Sequence, residues 1–180
     1  DGVLFTSDHE LVKYPVAKAD TSYTVPEGTI GIGFFAFELC SNILSVELPN
    51  TVTYIGDYAF NECTNLTTIN IPSGITSIGA GTFYYCSALR QIEIPDGVTS
   101  IGDEAFLGCR SLTEVTIPNS VTDIGSDIFS YCDSIAIVNA PCSWINYNGN
   151  YPCEFPRWAE IILAAHTYGT YSVNDAGDTI

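Results

Sequence analysis

The sequence predicts a repeat solenoid: a right-handed superhelix of short parallel strands, with an N-terminal hairpin and an irregular C-terminal cap. Three observations predict it. Cys40, Cys63, Cys86, Cys109 and Cys132 are each 23 residues apart. Phe37, Phe60, Phe83, Phe106 and Phe129 keep the same step. So do Gly33, Gly56, Gly79, Gly102 and Gly125, each preceded by Ile. Pro26, Pro49, Pro72, Pro95 and Pro118 share the register, and Pro141 makes a sixth. Independent columns in one register mean stacked copies of one supersecondary unit.

Cut at the leucine column, the units run 20–42, 43–65, 66–88, 89–111 and 112–134, and a sixth begins at Ile135. The middle units read L-x-x-I-x-I-P-x-x-V-T-x-I-G-x-x-x-F-x-x-C-x-x. This period and the L-x-x-L-x-L spacing are those of a leucine-rich-repeat solenoid. In the unit from Leu66 to Ala88, Ile69 and Ile71 are two apart and share one face of a short strand. Pro72 lacks the N–H to continue a ladder and ends that strand. Ile75 and Ile78, three apart, re-enter the core on a second side. Gly79 is expected at positive φ. Phe83 and Cys86 close the coil. Phe60, Phe83, Phe106, Cys63, Cys86 and Cys109 are the expected structural core, since only stacked neighbours can bury such columns.

The columns I-P, V-T-x-I-G, A-F and C-x-x-L resemble the BspA-type leucine-rich repeat, a 23-residue class common in bacterial surface proteins, over residues 20–141. The opening D-G-V-L-F-T-S-D-H-E-L-V-K-Y-P is also similar to that family and reads as a hairpin, so residues 1–19 are expected to form an N-terminal hairpin cap. The resemblance implies an extracellular protein, at the cell surface or secreted, without catalytic activity. Some such proteins are adhesins that bind host matrix proteins or other cells. Others have no known partner.

Beyond Pro141 the sequence period fails. Residues 142–165 are expected to form a C-terminal cap, with Trp144, Tyr147, Tyr151, Phe155 and Trp158 covering the end of the last coil. Ala159, Ile162 and Leu163 are at helical spacing, which predicts a short helix over Arg157–Ala165. Residues 166–180 alternate like a strand and then turn, as the truncated start of a following module would.

Composition excludes several functions. With 21 acids against 5 bases, a net charge of −16 repels nucleic acid. No apolar run approaches the ~20 residues of a membrane span, so no membrane insertion is expected. The column cysteines occupy small buried apolar positions, which free thiols suit. Cys142 and Cys153 lie off the column, where a disulfide and free thiols are both open. No C-x-x-C or H-x-x-x-H supports zinc, and no cofactor is implied. His9 and His166 stand at opposite ends, so a His-based catalytic set has no partners within reach. Glu93 and Glu114 sit in adjacent units, and a glycosidase-like pair is the remote enzymatic alternative. Asp57, Asp103, Asp123 and Asp127 flank the turn glycines, where acids serve solubility or, less simply, calcium.

Outward positions on the strand side are polar and differ from coil to coil. Glu47, Thr68, Asn70, Arg90, Gln91, Glu93, Glu114 and Thr116 are the candidate binding residues, with Arg90 the lone base among them. A second candidate is the tyrosine side: Tyr54, Tyr58, Tyr84, Tyr85, Leu107 and Tyr131 sit where the repeat does not require burial. The expected function is a monomeric binding module that engages a host or neighbouring-cell surface protein or glycan through the strand face. The alternative is a passive spacer that displays neighbouring modules.

Overall fold

The computed structural model describes residues 2–141 and 160–164. Strands β1 (Leu4–Phe5) and β2 (Glu10–Lys13) form an antiparallel hairpin. Each following coil carries up to two short strands. The first has β3 (Ser22–Thr24) and β4 (Gly31–Ile32). The second has β5 (Ser45–Glu47) and β6 (Tyr54–Ile55), and the third β7 (Thr68–Ile69) and β8 (Ser77–Ile78). The fourth has only β9 (Ser100–Ile101), and the fifth β10 (Glu114–Thr116) and β11 (Asp123–Ile124). β12 (Ile137–Pro141) and β13 (Glu160–Ala164) follow, and no helix occurs among the described residues.

The L-x-x-I-x-I segments stack into one ladder and the V-T-x-I-G segments into a second. All pairings outside the hairpin are parallel, and the hairpin joins the second ladder through β2 on β4. The register is one whole repeat: Ser22 pairs with Ser45 and Ser45 with Thr68, while Gly31 pairs with Tyr54 and Ser77 with Ser100. Neither ladder is continuous. The second is interrupted between β6 and β8, and the first between β7 and the Arg90–Ile92 segment, which forms no strand. The gap in the second ladder lies between the second and third coils and that in the first between the third and fourth. Between the second and third coils the β5–β7 pairing persists and the turn side adds backbone bonds: Tyr58 N donates to Ala80 O at 2.9 Å, Phe60 N to Thr82 O at 2.9 Å and Glu62 N to Tyr84 O at 2.7 Å.

The structure corrects the reading of the tail. Residues Glu160–Ala164 are a strand, not part of a helix, and pair in parallel with Ile137–Pro141. Five residues hold too few hydrogen bonds to nucleate a helix, and Ile161 and Ile162 are β-branched. The open edge of β12 supplies the bonds instead. Ile137 pairs with Glu160, so the 23-residue register outlasts the visible sequence period. The expected cap aromatics and Cys142 and Cys153 lie outside the described residues, as does the segment 166–180.

The core is a set of columns. Phe37, Phe60, Phe83, Phe106 and Phe129 are fully buried. Successive rings stack with centroids 4.9, 5.6, 5.4 and 5.6 Å apart and planes within 17°. Tyr14 of the cap stands one period before Phe37 and extends the stack at 5.0 Å. Leu66, Leu89, Leu112, Ile75, Val98 and Val121 are buried beside it.

The I-G column differs from expectation. None of Gly33, Gly56, Gly79, Gly102 and Gly125 has positive φ. The glycines are needed because the coils touch there. A Cβ on Gly56 would lie 2.7 Å from Phe34 N, on Gly102 2.6 Å from Ala80 N, and on Gly125 2.3 Å from Asp103 N. Positive φ falls instead on two other columns. Phe35, Tyr58, Gly81, Glu104 and Asp127 have φ of 54–57°. Leu39, Glu62, Tyr85, Gly108 and Tyr131 have φ of 54–74°. These residues turn their N–H toward the next coil, as Tyr85 N does to Leu107 O at 2.7 Å. The inter-coil bond offsets a local strain of about 1–2 kcal/mol per non-glycine residue.

Phe83→Ala is expected to destabilise the fold by ~3–5 kcal/mol in denaturant unfolding, and a loss below ~1 kcal/mol would show that the ring is not load-carrying. Gly102→Ala is expected to cost at least ~1–3 kcal/mol by steric overlap with backbone. Gly74→Ala, whose Cβ would meet nothing nearer than 3.6 Å, is expected to change stability by less than ~0.5 kcal/mol.

Candidate binding surface

All eight strand-face candidates are exposed. The ladder holds their backbones while alternation points them outward: in β10, Glu114 and Thr116 face solvent and Val115 faces the core. Two shallow concavities lie on this face. One, of about 560 Å³, runs across β3, β5 and β7 and brings Glu47, Thr68 and Asn70 together. The other, of about 430 Å³, gathers Gln91, Glu93, Glu114 and Thr116 with Asp96. Arg90 stands beside the second without lining it and makes no ion pair with a described residue.

Some of these side chains already have structural work. Asn70 Oδ1 accepts from Leu48 N at 2.8 Å and its Nδ2 donates to Leu48 O at 2.8 Å, so it closes the edge of the ladder below it. Asn139 Nδ2 donates to Glu114 Oε1 at 3.1 Å and to Thr116 Oγ1 at 3.2 Å. Thr24 Oγ1 donates to Glu47 Oε2 at 3.4 Å. Glu93 sits opposite Thr116 across an isolated bridge. Glu93 and Glu114 share an open surface where neither is desolvated, whereas a catalytic acid needs a setting that keeps it protonated.

The turn acids Asp57 and Asp103 serve inter-coil contacts, and Asp127 a contact within its own coil. Asp57 Oδ1 accepts from Ala80 N at 3.0 Å. Asp103 Oδ1 accepts from Ser126 N at 2.7 Å and Ser126 Oγ at 3.0 Å, which holds its carboxyl below the usual aspartate value. Asp127 Oδ1 accepts from Ser130 Oγ at 2.7 Å. Among the described residues no three His, Cys, Asp or Glu side chains converge as a metal site.

The tyrosine side is partly structural. The Tyr54 ring fills the notch left by Gly31, Tyr58 that of Gly81 and Tyr85 that of Gly108; a Cβ at these glycines would lie 2.1, 2.1 and 2.9 Å from the rings. Leu107 is buried, contrary to expectation, while Tyr131 is exposed. Sequence reading missed Phe34, Phe35 and Leu39, which are 66%, 40% and 47% exposed on the first coil. The available signal was their contrast with Asp57, Tyr58 and Glu62, which hold the same columns one period later.

The column thiols are free and buried. Four donate to the carbonyl of the Phe in the preceding coil: Cys63 to Phe37 O at 3.0 Å, Cys86 to Phe60 O at 3.2 Å, Cys109 to Phe83 O at 3.2 Å and Cys132 to Phe106 O at 3.1 Å, while Cys40 donates to Tyr14 O at 3.9 Å in the cap. Burial pushes Cys40 up to about 11 and Cys63, Cys86 and Cys109 further.

The thiol ladder, the notched glycines and the Phe stack repeat in one register, and the sequence profile described as "BspA type Leucine rich repeat region" matches residues 18–143 in 6 copies. The chain belongs to the BspA-type leucine-rich repeat family. Solved structures described as leucine-rich-repeat proteins are similar. The T. pallidum leucine rich repeat protein TpLRR is 32% identical with a TM-score of 0.69, over 76% of this chain and 67% of that one. A leucine rich cell surface protein from Faecalibacterium prausnitzii is 34% identical with a TM-score of 0.70, over 76% of this chain and 36% of that one. The pneumococcal vaccine antigen PcpA, 24% identical with a TM-score of 0.77 over 91% of this chain and 41% of that one, shares the fold. The chain thus spans 36% of the Faecalibacterium protein's length and 67% of the treponemal one's. A search of curated proteins finds no match.

Two outcomes follow from these BspA-type columns. Cys86 and Cys109 are expected to resist a thiol-specific reagent in the native protein and to react at once in denaturant; fast native reaction would mean that the coils open locally. Asp103 has a lowered folded-state pKa, so its contribution to stability is complete above the ordinary carboxylate range and is lost as pH falls through the lowered value. Side-chain carboxyl titration by NMR is expected to place Asp103 below the ordinary aspartate value, and Ser126→Ala is expected to move it back toward that value.

Proposed function

We propose that this chain is a non-catalytic, surface-exposed binding module of a bacterial cell, which engages a protein or glycan partner through the strand face of the solenoid. The supporting observation is the pair of concavities on that one ladder, walled by outward side chains that differ between coils while the inward columns repeat. A face that varies on an unvarying frame can encode a partner. Arg90 is the anchor: its guanidinium is exposed and makes no ion pair with a described residue. The resemblance to a protein described as a leucine rich cell surface protein supports an extracellular, cell-surface or secreted setting.

The test is a binding screen of the chain against extracellular-matrix proteins and mucin or plant glycans, repeated with Arg90→Ala and Glu93→Ala together. A partner bound by the parent and weakened at least roughly tenfold by the double variant, at unchanged melting temperature, is the expected result. A partner unaffected by the variant would place recognition elsewhere, and silence across the panel would favour a spacer that positions other modules.

A further inference from the structure

The turn side of the first four coils combines an uncovered apolar surface with carboxylates. Phe34 and Leu39 are among the most exposed large apolar side chains of the described protein. Phe35 stacks on Tyr58, with ring centroids 5.3 Å apart and planes 7° apart. Tyr58 is therefore packed against both Phe35 and Gly81.

The polar groups around it are acceptors. Glu104 Oε2 lies 3.5 Å from the Tyr58 hydroxyl, and Glu62 is exposed one turn away. Burial, Tyr85, Glu104, Tyr58 and Glu62 all push the Tyr84 phenol up. Among the described residues neither Glu62 nor Glu104 has an ion-pair partner. The protein supplies a precedent at the edge of this surface: Lys13 Nζ donates to Phe35 O at 2.8 Å and lies 3.6 Å from Glu38 Oε2. An ammonium is thus already seated on the first coil, with its stem near the apolar group. The second and fourth coils carry the carboxylates Glu62 and Glu104 without such an ion pair among the described residues.

We infer that this turn-side surface docks a cationic amphipathic peptide segment of a partner protein, apolar side chains on Phe34, Phe35 and Leu39 and Lys or Arg side chains on Glu62 and Glu104. The long aliphatic stems of such residues cover ring edges while their heads reach the carboxylates. The site is independent of the strand face, which lies on another side of the coil. Steering by the net charge of −16 brings any cationic chain close, and the apolar triad selects an amphipathic one.

The experiment measures fluorescence anisotropy of a labelled amphipathic Lys/Leu peptide against the whole chain at physiological ionic strength. Its partner is the same peptide with Glu in place of Lys. The expected result is binding of the Lys/Leu peptide alone, weakened at least roughly tenfold by Phe34→Ser with Leu39→Ser. The same loss is expected from Glu62→Gln with Glu104→Gln. Glu93→Gln with Glu114→Gln removes the same charge from the strand face, and Arg90→Ala tests that face directly; both are expected to leave binding unchanged. Equal loss with Glu93→Gln and Glu114→Gln would reduce the effect to general charge and overturn the inference. So would binding of the Glu/Leu peptide, or no binding of either. Melting temperatures of the exposed-residue variants confirm that each comparison is between folded proteins.

Discussion

Nearly every residue of this solenoid has a counterpart of itself about one strand spacing, ~4.8 Å, above and below it. A side chain is therefore admitted to a column only if it packs against itself. Phenylalanine meets that condition by lying flat, ring on ring. Cysteine meets it by being small and by giving its proton to the carbonyl of the coil below rather than to another thiol. Glycine meets it where two backbones come too close for any Cβ. The strands, short as they are, need no independent stability. They form because the columns fix one coil upon the next.

The same condition explains what could be read from the sequence. Self-packing columns repeat, so Phe83, Cys86 and Ile78 announce themselves by their spacing, and the coil follows from them. The two left-handed columns did not announce themselves, because each holds glycine only once, at Gly81 and Gly108, while Tyr58, Glu62 and Glu104 accept the strained φ in exchange for an inter-coil hydrogen bond. The I-G column misled in the opposite sense: its glycines answer a contact, not a torsion angle. Ile161 and Leu163 stand one period after Val138 and Ala140, yet the intervening Trp, Asn and Tyr residues hid that register. The strand-face residues could be placed as outward but not ranked. Nothing in their spacing tells that Asn70 seals a ladder edge while Arg90 stands without an ion pair.

The two surfaces differ in kind. On the strand face, hydrogen-bonding groups are spread over a shallow polar floor, a geometry suited to many modest contacts. On the turn side, apolar and acidic groups run from Phe34 to Glu104 over the first four coils, in a strip interrupted by Gly81, Gly108 and the buried Leu107. A single invariant core thus supports two sets of outward positions. Either set can change without disturbing the other, because both lie outside the self-packing columns.

Between the second and third coils the second ladder lapses, and a half-turn later, between the third and fourth, the first does. At each gap the other ladder, the turn-side bonds and the Phe stack still join the two coils. A stack pulled along its axis carries the same force through every interface, so what counts at each one is the number of independent attachments. With three rows of backbone bonds running the length of the superhelix, a break in one row is spanned by the other two.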